Sequence, residues 1–119
     1  MLFRIDTTSS VPLGDQIAAC ARRAVVGGSV RPGERLPAAR MLAGSLGVNV
    51  HTVLRGYQQL RDEGLIELRR GRGAIVADGA SARARAQLVE RVGEFVADAL
   101  ELGLTDDEVM SMVSAALKA

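Results

Sequence analysis

Residues 36–76 read LPAARMLAGSLGVNVHTVLRGYQQLRDEGLIELRRGRGAIV. Leu36-Pro37 punctuates the chain before a short helix carrying Leu42, Ala43 and Leu46, and Gly47 closes that helix. Asn49 has the short acceptor side chain of an N-cap. After it, Val53, Gly56, Tyr57 and Leu60 recur at i, i+3, i+4 and i+7, the apolar stripe of a further helix that Gly64 ends. His51, Leu54, Arg55 and Gln58 fall roughly opposite that stripe. From Leu65 the period changes to two. Ile66-Glu67-Leu68 and Ala74-Ile75-Val76 alternate as a hairpin around the loop Arg69-Arg70-Gly71-Arg72-Gly73. A short helix joined through glycine to a helix with an apolar inner and a polar outer face is the helix-turn-helix pattern. The basic-tipped hairpin directly after it makes the module winged.

The flanks complete the plan. Upstream, Leu2-Phe3-Arg4-Ile5-Asp6 reads as an extended arm followed by the polar run Thr7-Thr8-Ser9-Ser10. Pro12 suits the first turn of a helix. Leu13, Ile17, Cys20, Ala24 and Val25 keep helical spacing until Gly27-Gly28, and Arg31-Pro32-Gly33-Glu34 is a turn signal. Downstream, Asp78-Gly79 breaks the chain. A longer helix from about Ser81 carries Leu88, Val92, Phe95, Val96, Ala99 and Leu100. Thr105-Asp106-Asp107-Glu108 is a capping box that starts a last helix with Val109, Met112, Val113, Ala116 and Leu117 inward. The expected fold class is mainly α with a small β-hairpin. A winged helix-turn-helix with an N-terminal arm spans 1–78, and a two-helix segment spans 79–119.

Two helices cannot enclose their own apolar stripe, so burial against a second copy is the economical solution. The expected homodimer contacts are Leu88, Val92, Phe95, Val96, Ala99, Val109, Met112 and Val113. The alternative is packing back onto the winged domain of the same subunit.

Composition narrows the function. A chain of 119 residues suits one small domain with a short appendage. The formal net charge is +1, yet it is unevenly distributed. Residues 35–72 hold Arg35, Arg40, Arg55, Arg61, Arg69, Arg70 and Arg72 against Asp62, Glu63 and Glu67, while acids outnumber bases after residue 80. The middle is therefore a candidate polyanion surface and the C-terminal third is not. Every basic residue but Lys118 is arginine, whose fork binds phosphate and guanine edges bidentately, although a GC-rich genome gives the same bias. The single Cys20 rules out a disulfide framework and reads as a small buried hydrophobe. The single His51 has no companions at metal-ligand spacing, so no metal site and no cofactor is expected. No Ser/His/Asp, Cys/His or carboxylate constellation offers a nucleophile with a base, which argues against an enzyme. No apolar run approaches the ~18 residues of a membrane span. Met1-Leu2-Phe3-Arg4 leads straight into polar sequence, so a cytoplasmic protein is expected.

Several of these spaced motifs resemble one family. Pro12-Leu13-x-x-Gln16-Ile17, Arg31-Pro32-Gly33-Glu34-Arg35-Leu36-Pro37, Arg40-x-Leu42-Ala43-x-x-Leu46-Gly47-Val48, Thr52-Val53, Leu60-x-x-Glu63-Gly64-Leu65-Ile66 and Arg70-Gly71-x-Gly73 are similar to the GntR family of bacterial transcription regulators. The match covers about residues 11–76. The two remaining helices, together with Val48-Asn49-x-x-Thr52-Val53-x-x-x-Tyr57-Gln58-x-Leu60, resemble its small YtrA-like branch. The resemblance implies DNA contact by Arg40 on the second helix and by Thr52. Many members carry a base-reading arginine where this chain has Val50, so direct readout here is expected from His51, Thr52 and Arg55. Asn49 is an N-cap and a candidate phosphate ligand, since free N–H groups at a helix start favour anions. Arg35, Arg69, Arg70, Gly71 and Arg72 complete the expected DNA-binding set, with the wing arginines suited to a narrow minor groove. Leu54, in the same sector, meets a thymine methyl or is simply an exposed leucine. Tyr57 shares the stripe with Val53 and Leu60 and belongs to the core.

The expected function is a dimeric, sequence-specific regulator, a repressor, binding a double-stranded operator with inverted-repeat symmetry. The helix over 49–63 enters the major groove and the wing over 69–73 lies at the minor groove. An unidentified small-molecule effector acting on the C-terminal helices would bias DNA affinity through their packing. The rival reading is a winged-helix nucleoid-architecture or protein-interaction module without sequence preference.

Overall fold

The computed structural model describes residues 3–78 and 80–119; Met1, Leu2 and Gly79, parts of the expected arm and chain break, lie outside the described residues. Helix α1 (Leu13–Val26) begins one residue later than proline at N1 would put it. Pro12 is the N-cap, with φ −54° and an extended ψ of 141°. Its inward residues Ile17, Ala18, Cys20, Ala21, Ala24 and Val25 are buried. Helix α2 (Ala39–Leu46) ends at Gly47, whose φ of +70° is the left-handed position that glycine takes without a Cβ penalty. Helix α3 (Val50–Asp62) is capped by Asn49, whose side chain accepts the His51 amide at 2.8 Å. It buries Val53, Gly56, Tyr57 and Leu60, the stripe expected from sequence.

Helices α1 and α3 cross on main-chain atoms. A Cβ on Gly56 would lie 2.8 Å from the carbonyl oxygen of Gly14, and one on Gly14 would lie 3.2 Å from that of Thr52. Near the other end of α1, the Arg22 guanidinium forks onto both carboxylate oxygens of Glu63, the residue that closes α3. The N-terminal arm is tied to α1 by the Gln16 amide, which accepts the Asp6 N–H at 2.7 Å and donates to the carbonyls of Asp6 and Val11.

Strands β1 (Ile66–Arg69) and β2 (Gly73–Val76) pair antiparallel, in register from Ile66↔Val76 to Arg69↔Gly73. The ladder thus takes in Arg69 and Gly73, which sequence reading gave to the loop. Only Arg70-Gly71-Arg72 turn, and the Arg72 amide donates to the Arg69 carbonyl at 3.0 Å. The turn at 31–34 forms as expected, with Gly33 at φ +86° and the Glu34 amide donating to the Arg31 carbonyl. Directly beyond it the chain adds a third, short line of pairing. Arg35 bridges Ile75, the Leu36 amide donates to the Ala74 carbonyl, and the Val76 amide donates to the Glu34 carbonyl, both at 2.8 Å. Ile17, Leu36, Val53, Leu60, Leu65 and Val76 are the largest fully buried side chains of the core that these elements share.

Helix α4 (Ala80–Glu101) and helix α5 (Asp106–Lys118) follow. The chain divides into two compact units, Met1–Gln87 and Leu88–Ala119, so the boundary falls inside α4. Ala82 and Ala86 on its first turns are buried in the first unit. In the second unit, α4 ends in a glycine stop. Gly103 has φ +79°, and the Leu104 amide reaches back to the Ala99 carbonyl at 3.0 Å. Thr105 and Glu108 then form the expected reciprocal capping box. Helix α5 buries none of its residues in the single chain, and it holds the chain's only lysine, Lys118.

Candidate nucleic-acid interface

The start of α3 carries a satisfied side-chain cap. The Asn49 side chain satisfies the His51 amide, and the Thr52 amide donates to the Asn49 carbonyl at 3.0 Å. The cap thereby stiffens the turn that bears His51, and it sets the outward residues in phase. His51, Leu54, Arg55 and Gln58 are all exposed, while Thr52 is half-buried with its carbonyl over Gly14. Arg40 is exposed on the first turn of α2. Tyr57 points the other way, into the core. Its hydroxyl donates to the Pro37 carbonyl at 2.6 Å, tying α3 to the approach of α2. Burial pushes the Tyr57 phenol well above the ordinary tyrosine range.

Between α3 and the hairpin lies an open cleft of about 510 Å³. Arg35, Pro37, Leu54, Tyr57, Leu68 and the wing residues 69–73 line it. The structure thus brings Arg35 and the wing arginines to one depression beside α3. Among the described residues no ion pair engages Arg35, Arg40, Arg55, Arg70 or Arg72. Arg69 differs. Its guanidinium is held by Glu67 on the same strand, with Nε and Nη2 at 2.8 and 2.6 Å from Oε2. Both side chains are about half exposed, so the pair is a weak one. The hairpin tip carries Gly71 at φ +79° and Gly73 at φ +76°, a backbone that β-branched or bulky residues adopt only with strain.

Sequence reasoning missed three parts of this site. Leu68 shares a strand face with Ile66, yet it is 39% exposed where Ile66 is 3%, because burial along β1 stops at Ile66. The bridge from Arg35 to Ile75 places Arg35 at the cleft, and nothing local to 31–36 signals a strand. The hydroxyl of Tyr57 finds a main-chain acceptor that only the tertiary fold supplies. No group of three or more His, Cys, Asp or Glu residues among those described is arranged to hold a metal ion. No described helix is long and apolar enough to cross a membrane.

A three-helix core, a capped outward-facing helix and an arginine-tipped hairpin define a winged helix-turn-helix module of the DNA-binding kind. The chain belongs to the bacterial regulatory proteins of the gntR family, whose profile matches residues 13–76. It is 37% identical over 79 residues to the HTH-type transcriptional repressor YtrA of Bacillus subtilis (strain 168), a match covering 66% of this chain and 61% of that protein. It is 36% identical over 113 residues to the HTH-type transcriptional regulator Rv1152 of Mycobacterium tuberculosis, covering 91% of this chain and 88% of that one. Among solved structures it is similar to the DNA-binding domain of AraR in complex with operator ORX1. There the TM-score is 0.56 at 26% identity, over 64% of this chain and 93% of that one. The relatives are transcription regulators and not enzymes, and this chain is a YtrA-like, DNA-binding regulator of the GntR family.

Proposed function

We propose that the chain is a dimeric, sequence-specific repressor that binds an inverted-repeat operator with α3 in the major groove and the hairpin tip at the adjacent minor groove. The observation that carries this reading is the set of exposed arginines without carboxylate partners on α2, α3 and the hairpin, beside the Asn49-capped start of α3. A surface that neutralises several phosphates gains affinity from counterion release, and bidentate guanidinium groups supply the base contacts. On this reading the DNA-binding set is Arg35, Arg40, Asn49, His51, Thr52, Arg55, Arg69, Arg70, Gly71 and Arg72. Arg69 contributes least because Glu67 already holds it. The repressor role is that of the Bacillus relative YtrA, and the operator follows the AraR complex.

Dimerisation is proposed through the second unit. In the single chain Leu88 and Val92 are 58% and 54% exposed, and Met112 and Val113 are exposed as well. Phe95, Val96 and Val109 are half-covered, and Ala99 is buried. A second copy would cover the exposed apolar side chains. An unidentified small molecule that altered this packing would bias DNA affinity. The winged unit over 1–78 would then read DNA and the segment over 79–119 would hold the pair together. The deciding experiment offers the full chain a labelled inverted repeat, selected from random duplexes, in the presence of unlabelled random competitor. Strong preference for the repeat, with affinity falling steeply as salt rises, supports regulation. Equal binding to both favours the architectural module.

A further inference from the structure

Two exposed leucines in the cleft stand outside the proposed DNA-binding set, and the sequence leaves Leu54 open between a thymine contact and a plain exposed leucine. Leu54 and Leu68 are 38% and 39% exposed, and both line the depression whose other walls carry Arg35 and the wing arginines. An apolar side chain among guanidinium groups does nothing for phosphate. Yet Leu54 stands in the outward sector of α3, one turn after His51, one turn before Gln58 and next to Arg55, so it goes wherever those residues go. The polyanion that fits the arginines offers one apolar group at a base edge, the C5 methyl of thymine in the major groove. Resting on the proposed docking of α3 in that groove, we infer that Leu54 is a specificity-determining residue that selects thymine by contact with its C5 methyl. Leu68, across the cleft on β1, is the apolar wall that completes the depression.

The contact can be isolated chemically. Uracil keeps each hydrogen-bonding group of thymine and lacks only the methyl, so replacing thymine by deoxyuridine removes the proposed contact alone. The probe is the tightest duplex that the full chain selects from a random pool, resynthesised with each thymine in turn replaced by deoxyuridine. The transfer free energy of one methyl group predicts about fourfold weaker binding at the contacted position. In Leu54→Ala that position becomes indifferent to the substitution, while sensitivity to base-pair changes elsewhere in the site persists. Leu54→Met, which keeps a long apolar side chain, retains the methyl dependence. A wild-type chain indifferent to deoxyuridine at every position overturns the inference and leaves sequence-specific regulation standing. So does a Leu54→Ala variant with an unchanged deoxyuridine profile. A selection that enriches no sequence overturns both.

Discussion

Arg40 and Arg55 are exposed, engage no carboxylate, and stand on the two helices of the helix-turn-helix. If each makes a bidentate base contact, alanine at either position weakens operator binding by about 1–3 kcal/mol. A gel-shift or anisotropy titration reads the loss, and unchanged binding in both variants moves the interface to another face. Tyr57 gives a prediction about stability alone. Its hydroxyl donates to the Pro37 carbonyl, so Tyr57→Phe leaves a part-buried acceptor without this donor and costs about 1 kcal/mol near neutral pH. Burial raises the phenol's pKa in the folded chain above the value near 10 of the unfolded one. The neutral form is therefore favoured by folding. The wild-type advantage is intact below pH ~10 and is lost as the pH rises from there toward the folded value. Denaturant midpoints of wild type and Tyr57→Phe should converge above pH ~10. Tyr57 is the only tyrosine, so phenolate absorbance follows the same group directly.

At the scale of the element, α3 carries the plainest lesson about what the sequence could tell. Asn49 as cap and Val53, Gly56, Tyr57 and Leu60 as inner face were legible because both are local patterns, set by spacing within one helix. The GntR motifs were legible for the same reason, being residues at fixed offsets. What was not legible depends on segments far apart in the chain. The stripe marked Gly56 as inward, but only the crossing of α1 and α3 shows that the position requires glycine. Gly56→Ala gains helix propensity of about 1 kcal/mol, yet its methyl would stand 2.8 Å from the Gly14 carbonyl oxygen, a contact that cannot be kept. The helices must part at a cost of about 1–3 kcal/mol for an overpacked core, which cancels the propensity gain and leaves a net loss of up to about 2 kcal/mol. A thermal or denaturant melt checks it, and a variant as stable as wild type would mean the crossing yields easily. The pairing of Arg35 with Ile75 escaped for a similar reason, since Pro32-Gly33 signals a turn and a two-residue ladder has no period to detect.

The whole molecule joins the winged unit to a segment many of whose apolar side chains are exposed in the single chain. Phe95 is half-covered on α4, with Leu88 and Val92 exposed on the turns before it. Phe95→Asp should place a charge within the proposed dimer contact, split the dimer in analytical ultracentrifugation and weaken operator affinity. A folded variant that remains dimeric would remove this surface from the interface. The crossing of Gly14 and Gly56 has a further consequence at this scale. The azimuth of α3 is set where its backbone meets that of α1, with Ile17 packed beside Gly56 and the Arg22–Glu63 fork bracing its far end. Core residues away from the crossing, such as Leu36 and Val76, can then drift among apolar types, changing how hard the fold is to melt without turning the helix. With α3 docked as proposed, robustness and operator choice thereby become separately adjustable, and a lineage could retune one while inheriting the other.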